Sequence, residues 1–162
     1  MKGRDKFVDE EICIDSDFIL LNCCAKSKSE AIGMLGRKMQ NKGFVKESFV
    51  DAVLEREKKY PTGLEIGKTN IAIPHTEPEH VNKPCIGVMV LNDTVPFQKM
   101  DDLTSLVNVK VIFLIALKNG HGHMELLRNI MLTCRDQSFL NELITADNID
   151  EIKKELQRKL LM

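Results

Sequence analysis

The sequence lacks an excess of charge of either sign. Its 162 residues include 23 basic and 24 acidic side chains, which leaves a formal net charge of -1. Nucleic-acid-binding proteins usually carry a basic excess on one face, and polybasic membrane anchors need a cluster of lysine and arginine. The charge balance therefore argues against both classes, and we expect no nucleic-acid partner.

Long hydrophobic runs and export signals are also missing. The longest apolar run, Val111 to Leu117, is far shorter than the ~20 residues that span a bilayer. The opening stretch MKGRDKFVDEEICID carries charge throughout and contains no apolar core of a signal peptide. The sequence therefore predicts a cytoplasmic protein with no direct membrane insertion.

The cysteines do not form a recognisable framework. There are five of them, which is an odd number, and no two form a C-x-x-C pair. Without an export signal, reduced thiols are a better interpretation than disulfides. A chain of 162 residues that is 43% hydrophobic can bury a sizeable core, so we expect residues 1–162 to form a single compact domain.

Apolar periodicity predicts interleaved strands and helices. Four apolar runs are typical of strands, namely FILLNCC, IAI, CIGVMVL and NVKVIFLIAL. Two helices lie between the first two runs, and three more follow the last run. Ser27 with Glu30 predicts a capping box, Gly43 predicts a helix end, and the segments PTGLEIGKTN and NDTVPFQKMDD are interpreted as a loop and a turn. This order predicts the α/β class, with a single layered domain whose mixed, mostly parallel central sheet is flanked by helices.

His75 lies directly after the short strand IAI and Pro74. Proline fixes its own φ and keeps the preceding residue extended, so the turn that presents His75 is stiff. Ligands of open α/β sheets gather at the C-terminal ends of strands, where a neutral imidazole can be a nucleophile, a base or a metal ligand. The hydroxyl of Thr76 could orient the ring or bond an anion. A lone loop histidine more often only bonds its neighbours, and the local pattern leaves both interpretations open.

A second histidine cluster, in KNGHGHMELL, follows the longest strand and opens a helix. His121 and His123 would lie where unsatisfied backbone N–H groups and the helix dipole favour an anion. If the two strands are neighbours, His75 meets one of these histidines at one edge of the sheet, which suggests phosphate handling. The alternative is that His121 and Gly122 are loop and cap residues only.

Other chemistries have weaker support. His75, His121 and His123 could bind zinc, but an H-x-H pair lacks the i, i+4 spacing of H-E-x-x-H and no carboxylate completes an evident ligand pattern. The chain contains neither G-x-S-x-G nor G-x-x-x-x-G-K-[ST], which disfavours serine hydrolases and nucleotide kinases. Cys85 begins a strand and is interpreted as a core residue. A metal hydrolase or lyase is therefore a minority interpretation.

The segment EREKKYPTGLEIGKTNIAIPHT, with VPFQKMDD and VIFLIALKNGHGHMELL downstream, resembles the fructose/mannitol-type enzyme IIA domain of the bacterial sugar phosphotransferase system. The likeness extends from the FILLNCC strand to the last helix. Its most specific part is the E-R-E-x-x-x-P-T-G … I-A-I-P-H segment. The longer loop between PTGL and IAIPHT is most similar to that of the galactitol-specific branch.

The resemblance implies a phosphocarrier, which requires no metal or other cofactor. His75 would accept a phosphoryl group from the phosphocarrier protein HPr and pass it to a cysteine of the sugar-specific enzyme IIB, for uptake of a sugar or hexitol through the membrane permease enzyme IIC. Arg56 matches an arginine near the active histidine and, with Thr76, is expected to hold the phosphoryl oxygens; otherwise it is a solvated helix charge. His123 matches a second site histidine, and His121 is the alternative because the loop length does not settle the register.

The resemblance leaves the sugar and the physiological role open. Many members have glycine where this chain has Thr76, which bears on the sugar and not on the reaction. A regulatory enzyme IIA, which signals by binding targets, is the alternative function, and a histidine-ligated metal enzyme is a weaker one. A carrier must meet two partners in turn, so we expect His75 to be exposed within a shallow apolar rim. His80 is interpreted as an ordinary surface histidine.

Overall fold

The computed structural model describes residues 11–161, apart from the side chains of residues 120–123. The five strands are β1 (Ile19–Cys23), β2 (Gly63–Leu64), β3 (Ile71–Ala72), β4 (Cys85–Lys99) and β5 (Asp102–Ala116). The five helices are α1 (Lys28–Asn41), α2 (Phe49–Lys59), α3 (Gly120–Cys134), α4 (Gln137–Thr145) and α5 (Ile149–Leu161). Two short 3₁₀ turns cover Ser16–Phe18 and Pro78–His80.

The five strands form one mixed sheet. β4 and β5 make a long antiparallel hairpin, and β1 runs parallel to β4 on its other side. β3 runs parallel to β5, while β2 pairs antiparallel with β3 and parallel with the end of β4. Three of the five pairings in the described part of the chain are parallel, and helices cover the sheet. The predicted α/β class with a mixed, mostly parallel sheet is confirmed.

Each face of the sheet carries its own hydrophobic core. Along β5, Val111, Phe113 and Ile115 pack into the core under α3, α4 and α5, whereas Ile112 and Leu114 pack into the core under α1 and α2. Successive side chains of a strand point to opposite faces, so a strand buried on both faces must be apolar at every position. The continuous run VIFLIAL follows this rule, and its side chains are buried on both faces of the sheet.

The first helix begins and ends where the sequence predicts. The Ser27 hydroxyl accepts a hydrogen bond from the Glu30 N–H at 3.1 Å, which satisfies one of the orphan donors of the first turn of α1. Gly43 has a φ of +79°, a conformation in which a side chain is strained. Its N–H bonds the carbonyl of Gln40 at 2.9 Å, so this glycine closes the C-terminus of α1.

The prediction of a turn over NDTVPFQKMDD is wrong, because β4 continues as far as Lys99. The register shifts between Val90 and Val95, so the polar residues between them form an irregularity within the strand rather than its end. Val95 and Phe97 are buried, and this alternation carries β4 onward to the tight hairpin at its tip. The predicted loop after Pro61 also contains β2, which pairs with β3.

Two further features of the described residues bear on the class of protein. All five cysteines are free, as the sequence predicts, and Cys85 is fully buried in the core. Within residues 11–161, no helix combines the length and the apolar composition that crossing a bilayer requires.

Candidate functional site

His75 stands at the C-terminal end of β3, as the sequence predicts. Its backbone forms an isolated parallel bridge with Ile115, and the Ile115 N–H donates to the carbonyl of Pro74 at 3.0 Å. β3 and β5 are neighbours, so the end of β5 fixes the backbone that presents His75. The first residues of α3, which contain His121 and His123, follow the end of β5 along the chain.

The ring of His75 is held in one orientation. Its Nδ1 lies 2.8 Å from the carbonyl oxygen of Ile73, and because a carbonyl can only accept, Nδ1 carries the proton. In the neutral ring the lone pair is then on Nε2. The residue is half-buried rather than exposed, so the prediction of an exposed His75 is wrong in degree.

The environment of His75 favours its neutral form. Burial lowers the pKa of His75 below its ordinary value, and the nearby charge of Arg56 lowers it further. The hydrogen bond to Ile73 and the charge of Glu77 act in the opposite direction. A neutral imidazole with its lone pair on Nε2 is a competent nucleophile at the pH of a cell.

Arg56, Thr76 and Glu77 form a hydrogen-bonded group beside His75. Arg56 Nη1 contacts Glu77 Oε1 at 2.9 Å, and the Thr76 hydroxyl donates to Glu77 Oε2 at 2.8 Å. The Thr76 hydrogen bond and the Arg56 charge hold the pKa of Glu77 below its ordinary value. The Arg56 side chain is 32% exposed and paired with Glu77. The structure therefore favours a residue of this polar group over a fully solvated helix charge.

A cavity of about 270 Å³ joins these groups to an apolar rim. Its polar lining comes from Arg56, His75, Thr76 and Glu77, and its apolar lining from Pro78, Met124 and Leu127. Met124 is 68% exposed, which leaves an apolar side chain at the mouth of the cavity. The shallow apolar rim expected from the sequence is therefore present, although His75 itself lies deeper than expected.

The predicted second histidine lies outside the described side chains. α3 begins at Gly120, so His121 and His123 are in its first turn and not in a loop before it. The side chains of both residues fall within the segment 120–123, outside the described part of the structure. Which of the two faces His75 stays a prediction.

The loop after His75 is fastened at several points. The Lys118 ammonium donates to the carbonyl of Val81 at 3.0 Å, and the ring of His80 bonds the Ser48 hydroxyl at 2.8 Å. His80 is half-buried and belongs to the Pro78–His80 turn, so it is a structural residue rather than a freely solvated one. It does not line the cavity with His75.

Glu57 and Thr62 support the site, although no local sequence pattern predicts a role for either residue. Both are buried, and both oxygens of the Glu57 carboxyl accept hydrogen bonds from Thr62. Glu57 lies in the E-R-E segment and Thr62 in the P-T-G segment. In a helix rich in charged residues, however, the local pattern does not show which carboxyl group is buried and which is solvated. Glu77, directly after Thr76, was missed for the same reason.

The geometry suits an anion with several oxygens. A nucleophilic ring nitrogen, a guanidinium and a cavity open to solvent can receive and hold a phosphoryl group. Across the described residues, no group of three or more His, Cys, Asp or Glu side chains has the arrangement of a metal site. The zinc hypothesis needs His121 and His123, whose side chains are outside that part of the chain.

Comparisons with known proteins extend over most of the chain. The family model for the phosphoenolpyruvate-dependent sugar phosphotransferase system, EIIA 2, matches residues 12–159. The galactitol-specific EIIA component of Escherichia coli (strain K12) is 30% identical over 118 residues, which are 73% of this chain and 78% of that protein. The mannitol-specific phosphotransferase enzyme IIA component of Geobacillus stearothermophilus is 32% identical over 137 residues, which are 83% of this chain and 88% of that protein.

The structural comparison agrees with the sequence comparison. A solved complex of enzyme IIAMTL and phosphorylated enzyme IIBMTL from Escherichia coli superposes on this chain with a TM-score of 0.74. The identity is 25%, and the match covers 91% of this chain and 99% of that one. This chain therefore shares both its fold and a related sequence with enzyme IIA proteins.

Proposed function

Because this chain belongs to the EIIA 2 family of the phosphoenolpyruvate-dependent sugar phosphotransferase system, we propose that His75 is its phosphoryl carrier. The family assignment confirms the resemblance read from the sequence, and it makes the chain a phosphotransferase component for sugar or hexitol transport. The observation that supports His75 is its ring: Nδ1–H is bonded to Ile73 at 2.8 Å beside Arg56 and an open cavity.

In the proposed reaction, Nε2 of neutral His75 attacks the phosphorus of phospho-HPr. The N–P bond of the donor breaks as the new N–P bond forms, and the donor ring leaves as a neutral imidazole. The His75 ring keeps its Nδ1 proton and so becomes cationic while it carries the phosphoryl group. The Ile73 carbonyl stabilises that N–H, and the cationic ring is a good leaving group for the next transfer.

The second transfer reverses these roles. A thiolate of enzyme IIB attacks the phosphorus, an S–P bond forms, and His75 leaves as the neutral Nδ1–H tautomer. The donor and the acceptor are both reactive, so the protein mainly positions the groups and spreads charge. We propose that Arg56 and Thr76 bind the phosphoryl oxygens. Thr76 acts either directly or through Glu77, which it holds beside Arg56. We assign a ring N–H of His123, or alternatively of His121, to the same oxygens.

The proposed partners follow from the family and from a relative. A relative of similar fold was solved in complex with phosphorylated enzyme IIBMTL, which supports an enzyme IIB as the acceptor here. HPr as the donor, enzyme IIC as the membrane permease, and action in the cytoplasm come from the family resemblance. The galactitol- and mannitol-specific relatives support a hexitol as the transported substrate. We further propose that residues 1–162 form a single enzyme IIA domain.

Phosphorylation in a reconstituted system tests the proposal. The protein is incubated with phosphoenolpyruvate, enzyme I and HPr, and intact mass and acid lability of the phosphate are followed. Wild type should gain one acid-labile phosphate, and His75→Ala should gain none. His80→Ala is the matched control, because His80 is near in sequence but outside the cavity, and it should be labelled like wild type. Equal labelling of His75→Ala would sink the assignment.

The second histidine is tested in the same system. His123→Ala should slow phosphoryl transfer while His75 can still be phosphorylated, and His121→Ala should leave the rate unchanged. If the effects are exchanged, His121 is the second site residue. If neither substitution changes the rate, both histidines are structural.

A further inference from the structure

Glu57 is a carboxyl group buried inside the protein. Only 2% of the residue is exposed, although its neighbours in the E-R-E segment, Glu55 and Arg56, reach solvent. Its two oxygens are used by one residue: Glu57 Oε2 accepts from the Thr62 N–H at 2.8 Å, and Glu57 Oε1 accepts from the Thr62 hydroxyl at 2.8 Å. Glu57 therefore fixes both the backbone and the side chain of Thr62.

Thr62 in turn fixes the end of β3. The Ile73 N–H donates to the Thr62 hydroxyl oxygen at 3.2 Å and lies 3.4 Å from the Thr62 carbonyl. Thr62 is only 3% exposed, so its hydroxyl makes its hydrogen bonds to Glu57 and Ile73 inside the protein and away from solvent. The antiparallel ladder of β2 and β3 thus gains one more contact beyond Ala72, made by a side chain.

The chain of contacts ends at the reactive ring. The Ile73 carbonyl, on the other side of the same residue, accepts the His75 Nδ1–H at 2.8 Å. Pro74 follows and has no N–H, so the short link between Ile73 and His75 has little freedom. Three successive hydrogen-bonded links, Glu57 to Thr62, Thr62 to Ile73 and Ile73 to His75, join α2 to the imidazole.

Burying a carboxyl group costs free energy, which makes it an unfavourable residue for a purely structural contact. Burial raises the pKa of Glu57 to about 7, and the hydrogen bonds from Thr62 and the charges of Lys28 and Arg56 offset only part of this effect. A neutral side chain could hold the same turn with less loss of hydration. Titratable groups whose pKa values are strongly shifted by burial cluster at functional sites.

We propose that Glu57 is a positioning residue for His75, acting through Thr62 and Ile73 to hold the imidazole as the Nδ1–H tautomer with Nε2 as the attacking atom. This inference rests on the proposed function of His75. Glu57 does not touch the phosphoryl group; it determines where the Ile73 carbonyl lies. That carbonyl selects the tautomer and orients the ring before either partner protein binds.

Two substitutions, Thr62→Val and Glu57→Gln, break the chain of contacts at known points, and Thr62→Ser preserves it. Thr62→Val keeps the shape of the side chain but removes the hydroxyl, Thr62→Ser keeps the hydroxyl, and Glu57→Gln leaves one acceptor oxygen and adds a donor facing Thr62. Glu55→Gln is the matched control, because Glu55 lies on the same helix, is exposed and pairs with Lys58. Thermal unfolding of each variant gives the folded fraction, and all rates are expressed per folded molecule.

Two readouts separate positioning from stability. Nitrogen-15 NMR of the His75 ring, recorded without partners, should show the Nδ1–H tautomer in wild type, Thr62→Ser and Glu55→Gln, and a tautomer mixture in Thr62→Val. Phosphorylation by phospho-HPr should lose roughly ten- to a hundredfold in maximal rate for Thr62→Val, with the apparent affinity for HPr unchanged. Thr62→Ser should recover most of the rate, and Glu57→Gln should lie between Thr62→Val and wild type.

The inference is overturned if Thr62→Val and Glu57→Gln keep the single tautomer and the wild-type maximal rate. It is also overturned if their only defect is a smaller folded fraction, or if Thr62→Ser is as slow as Thr62→Val. Failure of the proposed function has a different signature, because wild type would then take up no phosphate at all. The tautomer measurement needs no phosphoryl donor and tests the role of Glu57 in either case.

Discussion

The imidazole of His75 donates its Nδ1–H to the carbonyl of Ile73, two residues earlier in the chain, over 2.8 Å. One hydrogen bond therefore fixes the tautomer, the ring orientation and the identity of the nucleophilic nitrogen. The bond is local in sequence, but distant residues hold the backbone on which it depends: Thr62 bonds Ile73, and Ile115 of β5 bonds Pro74.

The position of the phosphate follows from this bond. We expect phosphorylation on Nε2 of His75, because Nδ1 is occupied by its proton and by the Ile73 carbonyl. Protein labelled with nitrogen-15 histidine and phosphorylated by phospho-HPr would show coupling of phosphorus to Nε2. Coupling to Nδ1 would mean that the ring turns over before transfer, which contradicts the positioning by Ile73.

The pKa of His75 should respond in opposite directions to its two charged neighbours. Glu77 raises this pKa and Arg56 lowers it, so Glu77→Gln should lower the pKa of His75 and Arg56→Gln should raise it. An NMR titration of the ring protons measures both shifts. Glu79→Gln is the control, because Glu79 is an exposed carboxylate two residues from Glu77 and should leave the pKa of His75 unchanged. Shifts of the same sign for Glu77→Gln and Arg56→Gln would contradict the electrostatic account.

The stability of the protein should carry a pH dependence from Glu57. The folded-state pKa of about 7 lies above the ordinary 4.5, so the folded state binds the proton more tightly. The contribution is fully present below pH 4.5 and is lost as the pH rises through about 7, by about 3 kcal/mol. Urea denaturation of wild type and Glu57→Gln across this window measures it.

The difference between the two curves isolates Glu57. His75 contributes the opposite slope, since its lowered pKa makes the protein gain stability as the pH rises towards the ordinary histidine value. An NMR titration of the His75 ring in both proteins gives the His75 share of the slope, which is subtracted before the two curves are compared. A pH-independent difference between them would show that Glu57 titrates normally in the folded state.

Gly63 should not tolerate a side chain. A Cβ at this position would lie 2.6 Å from the Gln98 carbonyl oxygen and 2.7 Å from a methyl carbon of Val107. Gly63→Ala should therefore force β2 away from β4 and destabilise the protein by about 1–3 kcal/mol. Because Thr62 is the preceding residue, the same variant should also slow phosphorylation of the folded protein.

Gly43→Ala provides the contrast for Gly63→Ala. A Cβ at Gly43 meets nothing within 4 Å, and its cost is only that of a left-handed conformation, about 1–2 kcal/mol. Chemical denaturation compares the two stabilities, and only Gly63→Ala should affect transfer. Slowed transfer in Gly43→Ala would show that general destabilisation is the cause.

The apolar rim should contribute to partner binding. Met124 lines the cavity with His75 and is 68% exposed, so Met124→Gln should weaken the apparent affinity for phospho-HPr by roughly three- to tenfold. The maximal rate and the free energy of unfolding should stay unchanged. Leu132→Gln is the matched control, because Leu132 is exposed on the same helix and does not line the cavity. Equal effects of the two substitutions would remove Met124 from the interface.

Much of the fold could be predicted from the sequence because its signals are local. The apolar run VIFLIAL indicates a strand buried on both faces, and Ser27 and Gly43 mark the ends of α1 through their own backbone chemistry. The contiguous segment around P-T-G and I-A-I-P-H was enough to place the family and to single out His75. Turn-like residues within β4 misled the prediction, because the pairing with β5 outweighs their local preferences.

Local sequence patterns were enough to predict the alternation of strands and helices, the stiff proline turn that presents His75, and the family. Three features depend instead on the folded chain: the half-burial of His75, the pairing of Arg56 with Glu77, and the buried links from Glu57 to the ring. The physical reason is that periodicity and φ restrictions act over a few neighbouring residues. Hydration and hydrogen-bond partners depend instead on groups that are brought together from distant parts of the chain.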